Sequence, residues 1–204
     1  MEFSLKTFHK YLGLVMLLPF IAWGITGIFF FFKPGYSEAY QSLSVKQYPL
    51  QHLVKYPSSI KSSNWLEVRQ LASILGEHLL VKTTEGWQQL SPETLEVIEQ
   101  PNKEQISLLV NDAISENSVR YGQITSINEL LITTNTDVRI TLNWQSLSLR
   151  QQGVDTDFIN TIYNIHYLRW TGIKAIDQVL GVVGLLLVVL LAGIGTVMTI
   201  KARK

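Results

Sequence analysis

Four histidines are the side chains here best able to move protons or bind metal near neutral pH, so their surroundings bound the chemistry the chain can do. His52 lies in a polar linker and His78 at a predicted helix-to-strand junction, where a solvated or hydrogen-bonded imidazole is the ordinary state. His9 precedes one long apolar block and His166 precedes another. There is no cysteine, which removes disulfide frameworks, thiolate zinc sites, iron–sulfur clusters and cysteine nucleophiles. No Gly-rich phosphate loop, His-Glu-x-x-His helix or Gly-x-Ser-x-Gly elbow occurs. Asp155 and Asp157, two positions apart, have the chemistry for weak cation binding, but capping of a helix N-terminus accounts for them better. No nucleophile stands beside a base, so the expectation is a chain that binds rather than catalyses.

What positions the histidines is the uneven spread of apolar residues. Of 204 residues 47% are hydrophobic and 16% charged, and the charges lie almost entirely outside two blocks, Tyr11 to Phe32 and Val179 to Ile200. Each block is 22 residues long without a charge, or about 33 Å as a helix, matching a hydrocarbon core of roughly 30 Å. Both read as membrane spans. The first is too long for a signal-peptide core and Phe29-Phe30-Phe31-Phe32-Lys33-Pro34 offers no small-residue cleavage site, so an uncleaved anchor is expected. Lys6 and Lys10 before the first span, with Lys201, Arg203 and Lys204 after the second, place both termini in the cytoplasm, Lys33 being a single opposing charge. Residues 34–178, with 11 basic and 15 acidic side chains, then lie on the outer face. With 17 basic against 16 acidic residues overall, the chain has no field to attract nucleic acid. On this topology His9 and His166 sit on opposite membrane faces, roughly 30 Å apart.

Within the spans, glycines suggest the packing faces, because helices in lipid associate by close backbone approach. Gly13, Phe20, Gly24, Gly27 and Phe31 fall on one stripe of the first helix, and Gly184, Val188, Leu191 and Gly195 on one stripe of the second; the two stripes are expected to pair. Pro19 removes a helical hydrogen bond and is expected to kink the first span. No ionisable residue lies inside either block, which argues against transport by this chain alone.

The intervening region reads as mixed α and β. Asn64-Trp65-Leu66-Glu67 has a capping-box pattern that predicts a helix over 65–75, stopped by Gly76. Short strands follow at Leu79 to Thr83, Gly86 to Leu90 and Leu95 to Glu99. Asn102-Lys103-Glu104-Gln105 is a second capping box, heading a helix with Ile106, Leu109, Val110, Ala113 and Ile114 on one face. Strands are predicted again at Tyr121 to Thr125, Leu130 to Thr134, Val138 to Asn143 and Leu147 to Gln151. The pattern suggests two helix-then-meander units, 38 residues apart at their caps. From Asp155 to Trp170, Phe158, Ile162, Ile165 and Arg169 lie along one helical side; with Tyr163, Tyr167 and Trp170 nearby, an interfacial helix on the outer leaflet is expected, Arg169 reaching lipid phosphate. The divisions are therefore 1–33, 34–154, 155–178 and 179–204.

The phrase His9-Lys10-Tyr11-Leu12-Gly13-Leu14, then Pro19 and Trp23-Gly24-Ile25-Thr26-Gly27, resembles the first span of the PepSY-associated transmembrane family. Ile165-His166-Tyr167-Leu168, with Gly172, Asp177 and Gly181, is similar to the stretch before that family's last span. Together the phrases cover about a quarter of the chain. The resemblance implies an α+β fold in which two transmembrane helices flank an inserted PepSY-like domain of helices and antiparallel strands. It also implies a bacterial inner membrane with the central domain in the periplasm. The expected role is that of a non-enzymatic, membrane-tethered module that binds or regulates a membrane or periplasmic partner, with the strand edges and the interfacial helix as its first candidate surfaces. Some larger members resemble iron–siderophore reductases that hold b-type haem between histidines. The rival expectation is therefore a haem-binding electron-transfer or accessory subunit of iron uptake, using His9 or His166. Larger members have four or more spans and this chain has two. A haem held by two histidines would then need a homodimer or another subunit to supply the second ligand.

Overall fold

The computed structural model describes residues 4–52 and 64–202; Arg203 and Lys204 of the basic tail lie outside them. In chain order the elements are α1 (Leu5–Phe32), α2 (Tyr36–Ala39), β1 (Glu67–Ser73), β2 (Gly76–Thr83), β3 (Gly86–Leu90), α3 (Lys103–Ile114), α4 (Ser118–Tyr121), β4 (Ile124–Asn128), β5 (Leu131–Thr134), β6 (Arg139–Asn143), β7 (Ser148–Gln152), α5 (Val154–His166) and α6 (Lys174–Ala202). The fold is α+β, two long apolar terminal helices flanking a central region of antiparallel strands and short helices. The chain divides into two compact units, residues 1–36 with 157–204, and residues 37–156.

In the first unit α1 has 28 residues and α6 has 29, each long and apolar enough to cross a membrane. The Ser4 side chain accepts from the Thr7 N–H at the start of α1, and Lys33 ends it in the left-handed region, its N–H bonded to the Phe29 carbonyl. The helix runs unbroken through Pro19. The helices pack antiparallel: Gly13 faces Leu191, Trp23 faces Gly184 and His9 faces Gly195. The seam of α1 is thus His9, Gly13, Trp23 and the buried Met16 and Thr26. Gly24 and Gly27 do not belong to it: a Cβ on either would have nothing within 4 Å. Phe31, expected on the same stripe, is 82% exposed. The seam instead runs through Trp23, whose ring lies against Gly184. On α6 the expected Gly184 and Gly195 both lie at the seam.

In the second unit β1, β2 and β3 form an antiparallel meander, and β4 to β7 form a second one in sequence order. The helix expected over 65–75 is a strand. Residues Glu67 to Ser73 pair one for one with Lys82 to Gly76. Gly76, expected as a helix stop, closes that hairpin at φ 113°. Tertiary pairing overrides the local helical signal because β2, buried on both faces at Leu79, Leu80 and Val81, requires a neighbour on each edge. Of the strand expected at Leu95 to Glu99, only one bridge, Val97 to Leu90, forms. Tyr121 sits in α4 rather than in a strand. Among the described residues only the second meander is preceded by its expected helix: α3 begins at a complete capping box, Asn102 accepting from the Gln105 N–H and Gln105 reaching back to the Asn102 N–H. The apolar face of α3 (Ile106, Leu109, Val110, Ile114) joins Ile132, Ile140, Leu142 and Leu149 of the second sheet and Leu80 of the first in one core. Trp144 completes it and donates its indole N–H to the Glu99 carbonyl at 3.0 Å.

Two polar clusters hold this unit together. Arg120, its side chain 10% exposed, donates to both carboxylate oxygens of Asp155 at 2.8 and 3.3 Å and twice to Gln151 Oε1. Asp155 is therefore an ion-pair partner within the first turn of α5, not a solvated cap, and the guanidinium holds its carboxyl below the usual range. The Gln151 amide and the Thr156 hydroxyl both donate to the Ala39 carbonyl, tying the start of the unit to its end.

Candidate functional site

The chemistry-bearing groups of the first unit converge where α5 meets α1. Thr26, 3% exposed, points its hydroxyl back along α1, 2.6 Å from the Ala22 carbonyl and 3.3 Å from that of Trp23. This i to i−4 bond is the usual recourse of a threonine inside a helix. The same oxygen lies 2.8 Å from Nδ1 of His166, the last residue of α5. One turn earlier, Trp23 donates its indole N–H to the His166 carbonyl at 2.8 Å. Phe30 and Tyr167 meet the imidazole edge-on at 4.9 and 5.3 Å between centroids.

The aromatics expected as interfacial anchors divide. Tyr163 stacks on Phe30 at 4.5 Å and lies parallel to Tyr167 at 6.0 Å, while Phe158 meets Phe29 at 5.8 Å, so this side of α5 packs on the end of α1. Tyr167 and Trp170 remain more than half exposed. Arg169, expected on the helical side, lies beyond the end of α5, because Leu168 turns the chain in the left-handed region. Its guanidinium rests 5.3 Å from the Tyr167 ring. Leu168 tucks under the chain to 7% exposure in the space left by Gly184, where a Cβ would stand 2.7 Å from its Cδ1. Asp177 in the first turn of α6 fixes the connection, accepting from the Thr171 N–H at 3.0 Å and its hydroxyl at 2.7 Å.

Between these pieces is a cavity of about 900 Å³, lined by Trp23, His166, Arg169 and Lys174 with Val182 and Leu185 below them. It offers an imidazole, two cations, an apolar wall and one carboxylate, that of Asp177, which Thr171 already engages. At the other end of the pair, His9 packs its ring against Gly195, and its Nδ1 is buried with no hydrogen-bond partner. The two histidines stay apart: Thr26, which holds His166, is 17 positions along α1 from His9, about 25 Å at 1.5 Å per residue. No group of three or more His, Asp or Glu residues able to hold a metal ion occurs among the described residues.

The remaining histidines belong to the second unit. The His52 N–H donates to Glu77 at 3.0 Å, as does that of Gln51 at 2.8 Å, and these backbone bonds lower the Glu77 carboxyl below its ordinary range. His78 is 3% exposed, with Ser73 Oγ 2.6 Å from Nε2, Gln89 Nε2 3.2 Å from Nδ1, and the Trp144 ring edge-on at 5.8 Å. Burial lowers its pKa, which favours the neutral ring. It is a core histidine.

Sequence reasoning found His166 but not the residues that hold it. Trp23 and Thr26 were legible only as part of a family phrase, and Arg120 carried no signal at all. No curated protein and no solved structure matches the chain. The model of one family, the PepSY-associated TM region, matches residues 6–204, and the chain belongs to that family.

Proposed function

We propose that this membrane-anchored PepSY-associated protein is a haem-binding electron-transfer subunit, completed by a second copy or by another membrane protein, in reduction of ferric or siderophore-bound iron outside the cell membrane. The observation that carries this reading is the cavity around His166. The residues there fit a haem: an imidazole whose Nδ1 is engaged by Thr26 and whose Nε2 has no hydrogen bond among the described residues. Arg169 and Lys174 are cations suited to two propionates, and Val182, Leu185 and Trp23 are a wall suited to a porphyrin face. The haem would supply one-electron redox chemistry. Of the chain's own residues, Thr26 holds the ring of His166, Arg169 and Lys174 would neutralise carboxylates, and Val182 and Leu185 supply apolar lining. His9, pressed against a glycine with a buried unpartnered nitrogen, is a second candidate ligand at the other end of the helices. Among the described residues no second histidine stands beside either of these two, so a haem held by two histidines would need the other from a second copy or another subunit.

The test is an absorption spectrum of protein purified from membranes. A Soret band with a reduced α-band, lost in His166→Ala, supports the reading. Its absence in protein expressed with ample haem overturns it. A second reading, a module without a prosthetic group that binds or regulates a periplasmic partner, draws on β7. This is an edge strand with Ser148 and Arg150 exposed, where a partner's strand can add. A photo-crosslinker at Arg150 that captures one defined protein from a haem-free preparation favours it.

A further inference from the structure

We infer that Thr26 is a positioning residue that holds His166 as its Nδ1–H tautomer, so that Nε2 is the lone-pair nitrogen offered to a Lewis acid. The number of protons available decides which nitrogen carries the hydrogen. The Thr26 hydroxyl has a single hydrogen and three neighbours: the Ala22 carbonyl at 2.6 Å, the Trp23 carbonyl at 3.3 Å and His166 Nδ1 at 2.8 Å. Carbonyl oxygens only accept. At 2.6 Å the Ala22 oxygen and the threonine oxygen can lie together only with a proton between them, since otherwise two lone pairs face each other at hydrogen-bond distance. The hydroxyl proton is therefore spent on Ala22, and the threonine oxygen meets His166 as an acceptor. Nδ1 must then be the donor. Thr26 is 3% exposed, which leaves little room for water to take over either role.

Other contacts keep the ring in that pose. Trp23, three residues before Thr26, grips the carbonyl of the same histidine at 2.8 Å, so two adjacent side chains of α1 fix both the backbone and the ring of residue 166. Phe30 and Tyr167 stand at 85° to the imidazole and hinder its rotation. A histidine that ligates a metal is commonly oriented by a hydrogen bond at its other nitrogen, which sets the tautomer and sharpens the ligand. Here the acceptor is a threonine on a facing helix, and its own acceptor strength is raised because its proton is already donated. The pairing also gives a role to Thr26 of the Thr26-Gly27 phrase. A Cβ on Gly27 would meet nothing within 4 Å, whereas the threonine beside it touches the histidine.

The inference deepens the haem reading and uses it only for the identity of the Lewis acid; the tautomer itself is a property of the chain alone. The experiment is long-range ¹H–¹⁵N correlation on histidine-labelled full-length protein in nanodiscs without haem, at about pH 8, where an unperturbed imidazole is neutral. His166 is assigned by the resonance lost in His166→Asn. We expect a protonated Nδ1 and a bare Nε2 in the parent and in Thr26→Ser, which keeps the hydroxyl, and loss of that pattern in Thr26→Val. A bare Nδ1 in the parent, or an unchanged pattern in Thr26→Val, overturns the inference. Should Thr26→Val fail to fold, the parent and Thr26→Ser spectra decide it alone. Haemin titration of the same samples separates the two ideas. A 10–100-fold loss of affinity in Thr26→Val is the expected cost of removing such a partner, on the order of other outer-shell deletions. Protein with the expected tautomer and no haem binding leaves the inference standing and removes the haem reading. Haem binding to a His166 with its proton on Nε2 does the reverse.

Discussion

Replacing Asp155 by Asn tests how the folded body is closed. Arg120 has only 10% of its side chain exposed and gives Asp155 two charge-assisted bonds, leaving Gln151 Oε1 as its other acceptor. Asp155 is one-third exposed, at 33%, so the pair lies between a surface bridge and a buried one. Surface bridges are worth about 0–1 kcal/mol, whereas stranding one member of a buried pair costs about 3–5 kcal/mol. The expected loss is about 2–3 kcal/mol, close to that of hydrogen bonds to charged groups. Its pH signature is specific. The Arg120 bonds depress the Asp155 pKa. The unfolded carboxyl therefore takes up a proton first as the pH falls, and the stability the pair contributes above a pH of about 4 is lost through the lower folded pKa. Pulse proteolysis in urea on full-length protein in detergent should show parent and variant separated by a constant gap from neutral pH down to about 5, closing below about 4. A gap under about 0.5 kcal/mol at pH 7, or no coupling in a cycle with Arg120→Met, would refute the reasoning.

His78 should make the same body sensitive to mild acid. Because burial lowers its pKa, its neutral form contributes stability above the unfolded pKa of about 6.5 that is lost as the pH falls toward the folded value, with a slope of up to about 1.4 kcal/mol per pH unit; His78→Gln should remove that slope between pH 7 and 5 in the same assay. Gly184→Ala places a methyl 2.7 Å from Leu168 Cδ1, so the Leu168 side chain must move, at a cost of about 1 kcal/mol, seen as faster hydrogen exchange in residues 167–173; Gly24→Ala, with open space, should leave exchange there unchanged. Asn102→Ala removes the bond to the Gln105 N–H at 2.9 Å and should destabilise α3 by about 1 kcal/mol, read as loss of amide protection in residues 103–107.

Much was legible in the sequence because it was local or followed a strong period. The two spans announce themselves by length and absence of charge, and α3 by its capping box and the 3–4 spacing of Ile106, Leu109, Val110 and Ile114. The four strands of the second meander follow from alternation, displaced by one to three residues where Tyr121 turns helical and Leu147 sits in a turn. The segment 67–73 was not legible. Its apolar residues fit a helix as well as a strand, and its conformation is decided by the free edge of β2, residues distant in nothing but conformation from any local signal.

The sequence by itself determined which parts of this protein belong in lipid, where α3 starts, and that His9 and His166 lie at opposite ends of a pair of long helices. Only the tertiary structure decided which glycines meet the opposing helix and which nitrogen of His166 is engaged. The same is true of the partnership between Arg120 and Asp155. The physical reason is that solubility in lipid and helix capping are set by a residue and its near neighbours, whereas a shared proton or a close approach of two backbones exists only once segments some 140 positions apart, such as Thr26 and His166, have been brought together.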